Sequence, residues 1–199
     1  MLILDMTYKI SPIQESEIDE VIDFHNKYLG ERDFINKEEI FKRLHSNSGI
    51  FLIAKDKNKI IGIKLGYINN DICIGRGIAV DNNYRRLGIG RSLVKAFEKE
   101  LKKHNQVKKY VFASSTKEGI PFHIRLGYKP IVLLQSEDND LLKEIDLKNS
   151  SVIKNSYNDI YNTYQLFIKP DRELDLGYLS ELKSRYPDID IQYLFEKNL

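Results

Sequence analysis

The sequence predicts a mixed α/β domain, of the α+β kind, on a mostly antiparallel sheet. Three observations predict it. Apolar runs over 50–54, 60–68 and 72–80 are separated only by the turn formers Asp56-Lys57-Asn58-Lys59 and Asn69-Asn70-Asp71, which reads as consecutive hairpins. From Ile89 onward Leu93, Phe97 and Leu101 fall at four-residue steps while Lys95, Glu98, Lys99 and Lys102 point away, the pattern of an amphipathic helix. Strand-like and helix-like segments then alternate, over 107–113, 120–126 and 128–134.

Taken in order, Tyr8-Lys9-Ile10 is a first strand ended by Ser11-Pro12. Ile13, Ile18, Val21, Ile22, His25 and Leu29 recur at helical spacing up to Gly30, a helix stop. A second helix covers 35–44, with Ile40, Phe41 and Leu44 on one stripe. The third hairpin strand carries Gly75 and Gly77 inside it, and interior glycines mark a bulge or a close approach to the backbone. The core order is therefore β-α-α-β-β-β-α-β-α-β, a mixed sheet with helices packed on it. Beyond Leu134, residues 135–140 are polar and acidic, 141–147 suit a helix, and 161–168 suit a strand with Tyr164, Leu166 and Ile168 on one face. A helix over 179–186 is stopped by Pro187, and Ile189, Ile191, Tyr193 and Phe195 alternate as a final strand. No repeat and no linker divides the chain, so one domain over 1–199 is expected, with its core in 6–134.

The 199 residues suffice for one substantial core, and 42% hydrophobic with 30% charged is ordinary globular composition. A net charge of +2 is too small to argue for nucleic acid as partner, and Lys102-Lys103 and Lys108-Lys109 read as solvated element ends. Cys73 is the only cysteine, which excludes an internal disulfide and suits a reducing compartment. No stretch approaches a membrane span, so a soluble, cytoplasmic protein without membrane contact is expected. His25, His45 and His104 have no metal-ligand spacing and read as surface or helix-edge residues; no metal is expected. Cys73 reads as core, and Tyr157, Tyr161, Tyr164, Tyr178, Tyr186 and Tyr193 as packing.

The residues with chemistry lie between the strand ending at Val80 and the amphipathic helix. After Asp81-Asn82-Asn83-Tyr84 comes Arg85-Arg86-Leu87-Gly88-Ile89-Gly90-Arg91. Glycine-rich strand-to-helix turns hold phosphates, because backbone amides converge there and the helix N-terminus is partly positive. Arg85, Arg86 and Arg91 oppose the helix dipole unless an anion sits among them. No Gly-Lys-Ser/Thr follows, so this is no P-loop, and the preceding hairpins exclude a Rossmann unit.

The segment Arg76-Gly77-Ile78-Ala79-Val80-Asp81-x-x-Tyr84-Arg85-Arg86-Leu87-Gly88-Ile89-Gly90-Arg91-Ser92-Leu93 resembles the acetyl-coenzyme A (acetyl-CoA) motif of the GNAT (GCN5-related N-acetyltransferase) superfamily, Gln/Arg-x-x-Gly-x-Gly/Ala. Downstream, Phe122-His123-Ile124-Arg125-Leu126-Gly127-Tyr128 resembles the family's Phe-Tyr-x-x-Leu-Gly-Phe. The resemblance covers about 6–134; residues 135–199 match loosely and form an extension expected to complete the sheet and to offer an interface. The resemblance implies helices on both sheet faces and a splay between the fourth and fifth strands. It implies acetyl-CoA as co-substrate, with the backbone of Arg86, Leu87, Gly88, Ile89, Gly90 and Arg91 at the pyrophosphate and Arg85 and Ser92 among the cofactor-binding residues. Ile78, Ala79 and Val80 would pair with the pantetheine arm and supply an amide to the thioester oxygen. Two departures stand out. Thr116 falls where the family often has an Asn touching the cofactor, and His123 where it often has the Tyr that protonates the departing thiolate.

The implied acceptor is an amine, on a small molecule or a peptide. For the base that frees its lone pair, the acidic residues Glu31, Asp33, Glu137, Asp138 and Asp140 are candidates, each reading first as a solvated loop charge. Two other readings stay open: a non-catalytic CoA-binding regulator, and an interaction module whose extension supplies a partner or homodimer surface.

Overall fold

The structure, a computed structural model, describes residues 7–30, 36–159 and 161–199. It contains two compact units, one of Met1–Tyr110 with Asn198–Leu199 and one of Val111–Lys197.

In the first unit β1 (Lys9–Pro12), β2 (Gly49–Asp56), β3 (Lys59–Asn69) and β4 (Ile72–Val80) pair antiparallel in sequence order. The two hairpin turns need left-handed backbone, which Lys57 (φ +55°) and Asn70 (φ +57°) supply. Side chains of β3 alternate between the sheet faces. Ile63 and Leu65 pack in one cluster with Ile18, Val21 and Phe24 of α1 (Ile18–Leu29) and Ile40 of α2 (Lys37–His45). The opposite face takes α3 (Ile89–Leu101): a Cβ on Gly62 would meet Leu93 and Ile89, and one on Gly66 would stand 2.6 Å from Phe97. Helices thus cover both faces, which is why β2 and β3 read as unbroken apolar runs. The buried face of α3 consists of Ile89, Leu93, Val94, Phe97 and Leu101, each contributing roughly 1.5–3 kcal/mol by burial.

The helix ends follow local chemistry. Asn36 caps α2, its side chain accepting the Glu39 amide at 2.6 Å. Gly30 ends α1 at φ +71°, where its N–H donates to the Asn26 carbonyl.

In the second unit the sheet order is β5 (Lys109–Ser114), β9 (Asp190–Asn198), β6 (Lys129–Ser136), β8 (Thr163–Pro170), β7 (Ser150–Asn158). The β6–β9, β6–β8 and β7–β8 pairings are antiparallel. Three helices accompany them: α4 (Gly119–Arg125), the five-residue α5 (Asn139–Lys143) and α6 (Leu176–Arg185). Phe112 and Phe195 stack at 5.2 Å in its core. Asp175 caps α6 through the Tyr178 amide, and the Tyr193 hydroxyl donates to the Asp175 carbonyl at 2.7 Å.

The fold class is the mixed, largely antiparallel α/β arrangement expected from the sequence. One strand was not expected. β7 is exposed along most of its length, so no buried face imposes an alternation to read. Its pairing also shifts between Val152 and Lys154. The tyrosines divide: Tyr178 and Tyr193 are buried, while Tyr157, Tyr161 and Tyr164 are exposed, the Tyr157 and Tyr164 rings lying 5.0 Å apart on the surface.

Candidate functional site

The bulge anticipated at Gly75 and Gly77 is present. Leu65 pairs with Gly77 and Gly66 with Gly75, so Arg76 is the extra residue of β4. Beyond it the strand is regular, and the Asp81 amide donates to the Ile61 carbonyl of β3 at 2.9 Å. In an antiparallel ladder, alternate residues direct their N–H and C=O to opposite edges. Asp81, Ala79 and Gly77 therefore address β3, and Ile78 and Val80 address the other edge.

Asp81 turns the chain out of β4. It is 5% exposed, accepts the Asn83 amide at 2.9 Å, and lies 3.5 Å from the Lys59 ammonium. Burial alone would raise its carboxyl, but the Asn83 amide, the Tyr28 hydroxyl and Lys59 outweigh burial and hold it below the usual range. A single 3-10 turn over Asn82–Tyr84 follows, and Arg85 Nε donates back to the Val80 carbonyl at 3.2 Å.

Arg86 and Gly88 then adopt left-handed backbone, at φ +65° and +83°. For Arg86 this costs roughly 1–2 kcal/mol; for glycine it costs little. Such turns assemble anion-holding concavities. The first helical bond of α3 runs from the Ser92 amide to the Gly88 carbonyl at 3.0 Å, so the amides of Ile89, Gly90 and Arg91 precede any intrahelical acceptor. Gly88 offers no capping side chain, and the first turn of α3 holds no acidic residue. Arg85, Arg86 and Arg91 are exposed around this end. A Cβ on Gly88 would meet nothing within 4 Å. Amide donors and positive charge thus converge at this end of α3. The Ser92 amide serves the helix and its hydroxyl accepts the Tyr8 hydroxyl at 2.8 Å.

In the second unit the Thr116 hydroxyl accepts the Gly119 amide at 2.9 Å and so starts α4. His123, on α4, is 5% exposed, its ring 4.4 Å from Phe112, 5.0 Å from Phe122 and 5.3 Å from Phe195. Of the candidate bases, Glu31 and Asp33 lie outside the described residues. Asp138 caps α5 by accepting the Asp140 amide. Asp140 pairs with Lys143 at 2.6 Å, which holds its carboxyl below the usual range and makes it a weaker base.

The histidine expectation holds in part. His45 is exposed and meets Glu15 at 3.0 Å. His25 is a correction: it is fully buried on the inner face of α1, 3.7 Å from where a Cβ on Gly77 would stand. Its position in the apolar stripe Val21, Ile22, His25, Leu29 was the available signal.

The sequence reading also passed over Lys64, a lysine inside the apolar run of β3. It is 3% exposed, and its ammonium donates to the Gly77 and Leu65 carbonyls, each at 3.3 Å. It stands 4.5 Å over the Phe97 ring and 5.5 Å from that of Tyr110. Burial pulls its pKa down to about 8. Cys73, fully buried as expected of a core residue, has its thiol pushed up by burial to about 12.

Among the described residues, no three or more His, Cys, Asp and Glu side chains are grouped so as to hold a metal ion, and no helix is long and apolar enough to cross a membrane.

Comparison with solved structures shows what the chain resembles. The protein smu.2055 from Streptococcus mutans UA159 is 26% identical, with a TM-score of 0.52 over 81% of this chain and 98% of that one. An acetyltransferase of the GNAT family from Streptococcus pneumoniae is 15% identical, with a TM-score of 0.56 over 97% and 100%. The ribosomal-protein-S18-alanine N-acetyltransferase from Escherichia coli is 17% identical, with a TM-score of 0.52 over 85% and 97%. No curated protein matches. The family model described as Acetyltransferase (GNAT) family matches residues 15–128, more than half of the sequence and the whole stretch from α1 through the turn over 85–91 to α4, and the chain therefore belongs to the GNAT acetyltransferase family.

Proposed function

We propose that the protein is an N-acetyltransferase that moves an acetyl group from acetyl-CoA to an amine by direct attack on the thioester. The observation that carries this reading is the turn over residues 85–91: two left-handed residues, an uncapped helix start and three exposed arginines. An arrangement so rich in donors and positive charge suits the CoA diphosphate.

The reaction needs a neutral amine. An alkylamine with pKa near 10.4 is almost wholly protonated at pH 7, and freeing the lone pair costs about 4–5 kcal/mol. Attack on the carbonyl carbon puts negative charge on its oxygen, and the Ile78 amide, directed away from β3, is the donor proposed to meet it. One such donor is worth about 3–4 kcal/mol. Collapse breaks the carbon–sulfur bond, the acetylated amine loses its proton, and the thiolate takes one up. His123 is the side chain proposed to return that proton. A thiol of ordinary pKa near 8.5 also leaves without help, so water is the competing donor.

The test is thiol release from acetyl-CoA against polyamines, aminoglycosides, amino acids and peptide N-termini, beside calorimetric titration with CoA. Turnover with one class names the acceptor. CoA binding without release for any of them would instead make the protein a CoA-binding regulator. No CoA binding would refute the site.

A further inference from the structure

We infer that Lys64 is a positioning residue for the acyl-transfer step, acting through the peptide that joins Gly77 to Ile78. This rests on the acetyltransferase reading and deepens it. The carbonyl of that peptide belongs to Gly77 and accepts the buried Lys64 ammonium at 3.3 Å. The N–H of the same peptide belongs to Ile78 and addresses the edge away from β3, where it is the proposed donor to the thioester oxygen. A cation bonded to the carbonyl end of a peptide draws charge through it and strengthens the donor at the other end.

The surroundings fix the ammonium in that place. Lys64 lies opposite Ile78 in the β3–β4 register, immediately beyond the bulge at Arg76. Its stem is buried beneath α3, with Phe97 and Tyr110 facing the ammonium and the Leu65 carbonyl accepting a second bond. An apolar residue would satisfy packing here at lower desolvation cost. What lysine adds is charge, delivered to the Leu65 carbonyl and to the Gly77 carbonyl, the second of these next to the proposed site of chemistry.

The experiment compares wild type with Lys64→Met. Strengthening a hydrogen bond by 10–30%, for a donor whose removal costs a hundred- to thousandfold, sets the expected loss. The kcat with acetyl-CoA and the best amine of the panel should fall roughly two- to tenfold. The CoA dissociation constant, by calorimetry, should stay within about twofold, since the phosphate-holding turn is untouched. In amide NMR spectra the Ile78 proton should move upfield while the spectrum stays dispersed.

An unmoved Ile78 resonance overturns the inference whatever the kinetics, as does a moved resonance with unchanged kcat. Rate and CoA affinity falling together, or loss of dispersion throughout the spectrum, would make Lys64 a folding residue and also overturn it. Failure of the acetyltransferase reading is separately visible, in a wild-type protein that shows no turnover while Ile78 still responds to the substitution.

Discussion

The side chain of Asp81 accepts the backbone amide of Asn83 at 2.9 Å, and this bond aims the chain leaving β4 at the turn that starts α3. Asp81→Ala should cost about 1 kcal/mol, as loss of a comparable cap does, and should weaken CoA binding by loosening the turn. The carboxyl is depressed in the folded state from an ordinary value of 3.8. The unfolded chain then binds the proton more readily, so Asp81's contribution is complete above that value and is lost as pH falls through the lower folded pKa. Urea melts at pH 7 and pH 3 should show a smaller gap between wild type and variant at pH 3.

Gly88 is the position where the backbone's demand and that of the proposed ligand coincide. At φ +83°, with open space where a Cβ would go, Gly88→Ala meets backbone strain and no clash, for roughly 1 kcal/mol of stability. Gly88→Glu adds a carboxylate beside the proposed diphosphate. Calorimetry should show CoA affinity lowered by tenfold or more in Gly88→Ala and abolished in Gly88→Glu, with both proteins folded by circular dichroism. Wild-type affinity in Gly88→Glu would refute the site.

Sequence pattern revealed what depends on periodicity and on turn chemistry. The stripe Leu93, Phe97, Leu101 marks α3, Gly75 and Gly77 mark the bulge, and the run from Arg85 to Gly90 marks the helix start. It failed where those signals are absent. β7 has two wet faces and no alternation, so nothing marked it as a strand. The place of β9 between β5 and β6 depends on pairings between residues far apart in the chain, which local pattern does not encode. Lys64 broke the apolar pattern of β3 and so was visible, but its bond to Gly77 depends on the β3–β4 register.

Cys73 should be chemically silent. Burial removes the thiol from solvent and raises it to about 12, so the thiolate fraction at pH 8 is on the order of one in ten thousand. An aromatic disulfide reagent should titrate no thiol in the native protein and one after denaturation in guanidinium. Rapid labelling of the native state would contradict the packing described for β4.

The His123 ring is enclosed by Phe112, Phe122 and Phe195, so a phenylalanine can replace it with modest repacking. His123→Phe should fold, with stability changed by less than about 1.5 kcal/mol. If the imidazole returns the proton to the thiolate, kcat falls tenfold or more while CoA affinity holds. An unchanged kcat assigns that proton to water and leaves the ring a packing role.

Lys64 links function to stability with a definite sign. Its pKa is lowered from 10.5 to about 8 in the folded protein, so between these values the unfolded chain holds more protons and this group makes stability rise with pH. Below pH 8 the folded protein bears the full cost of a buried charge. Lys64→Met removes that cost, which the shift from 10.5 to about 8 puts at roughly 3 kcal/mol. The variant should therefore be the more stable protein at pH 7, and its advantage should shrink as the pH approaches 10. Denaturant midpoints measured across that range decide the matter. A variant less stable at pH 7, or an advantage that grows with pH, would mean that the ammonium's bonds to Gly77 and Leu65 outweigh its desolvation, and that Lys64 is retained for stability.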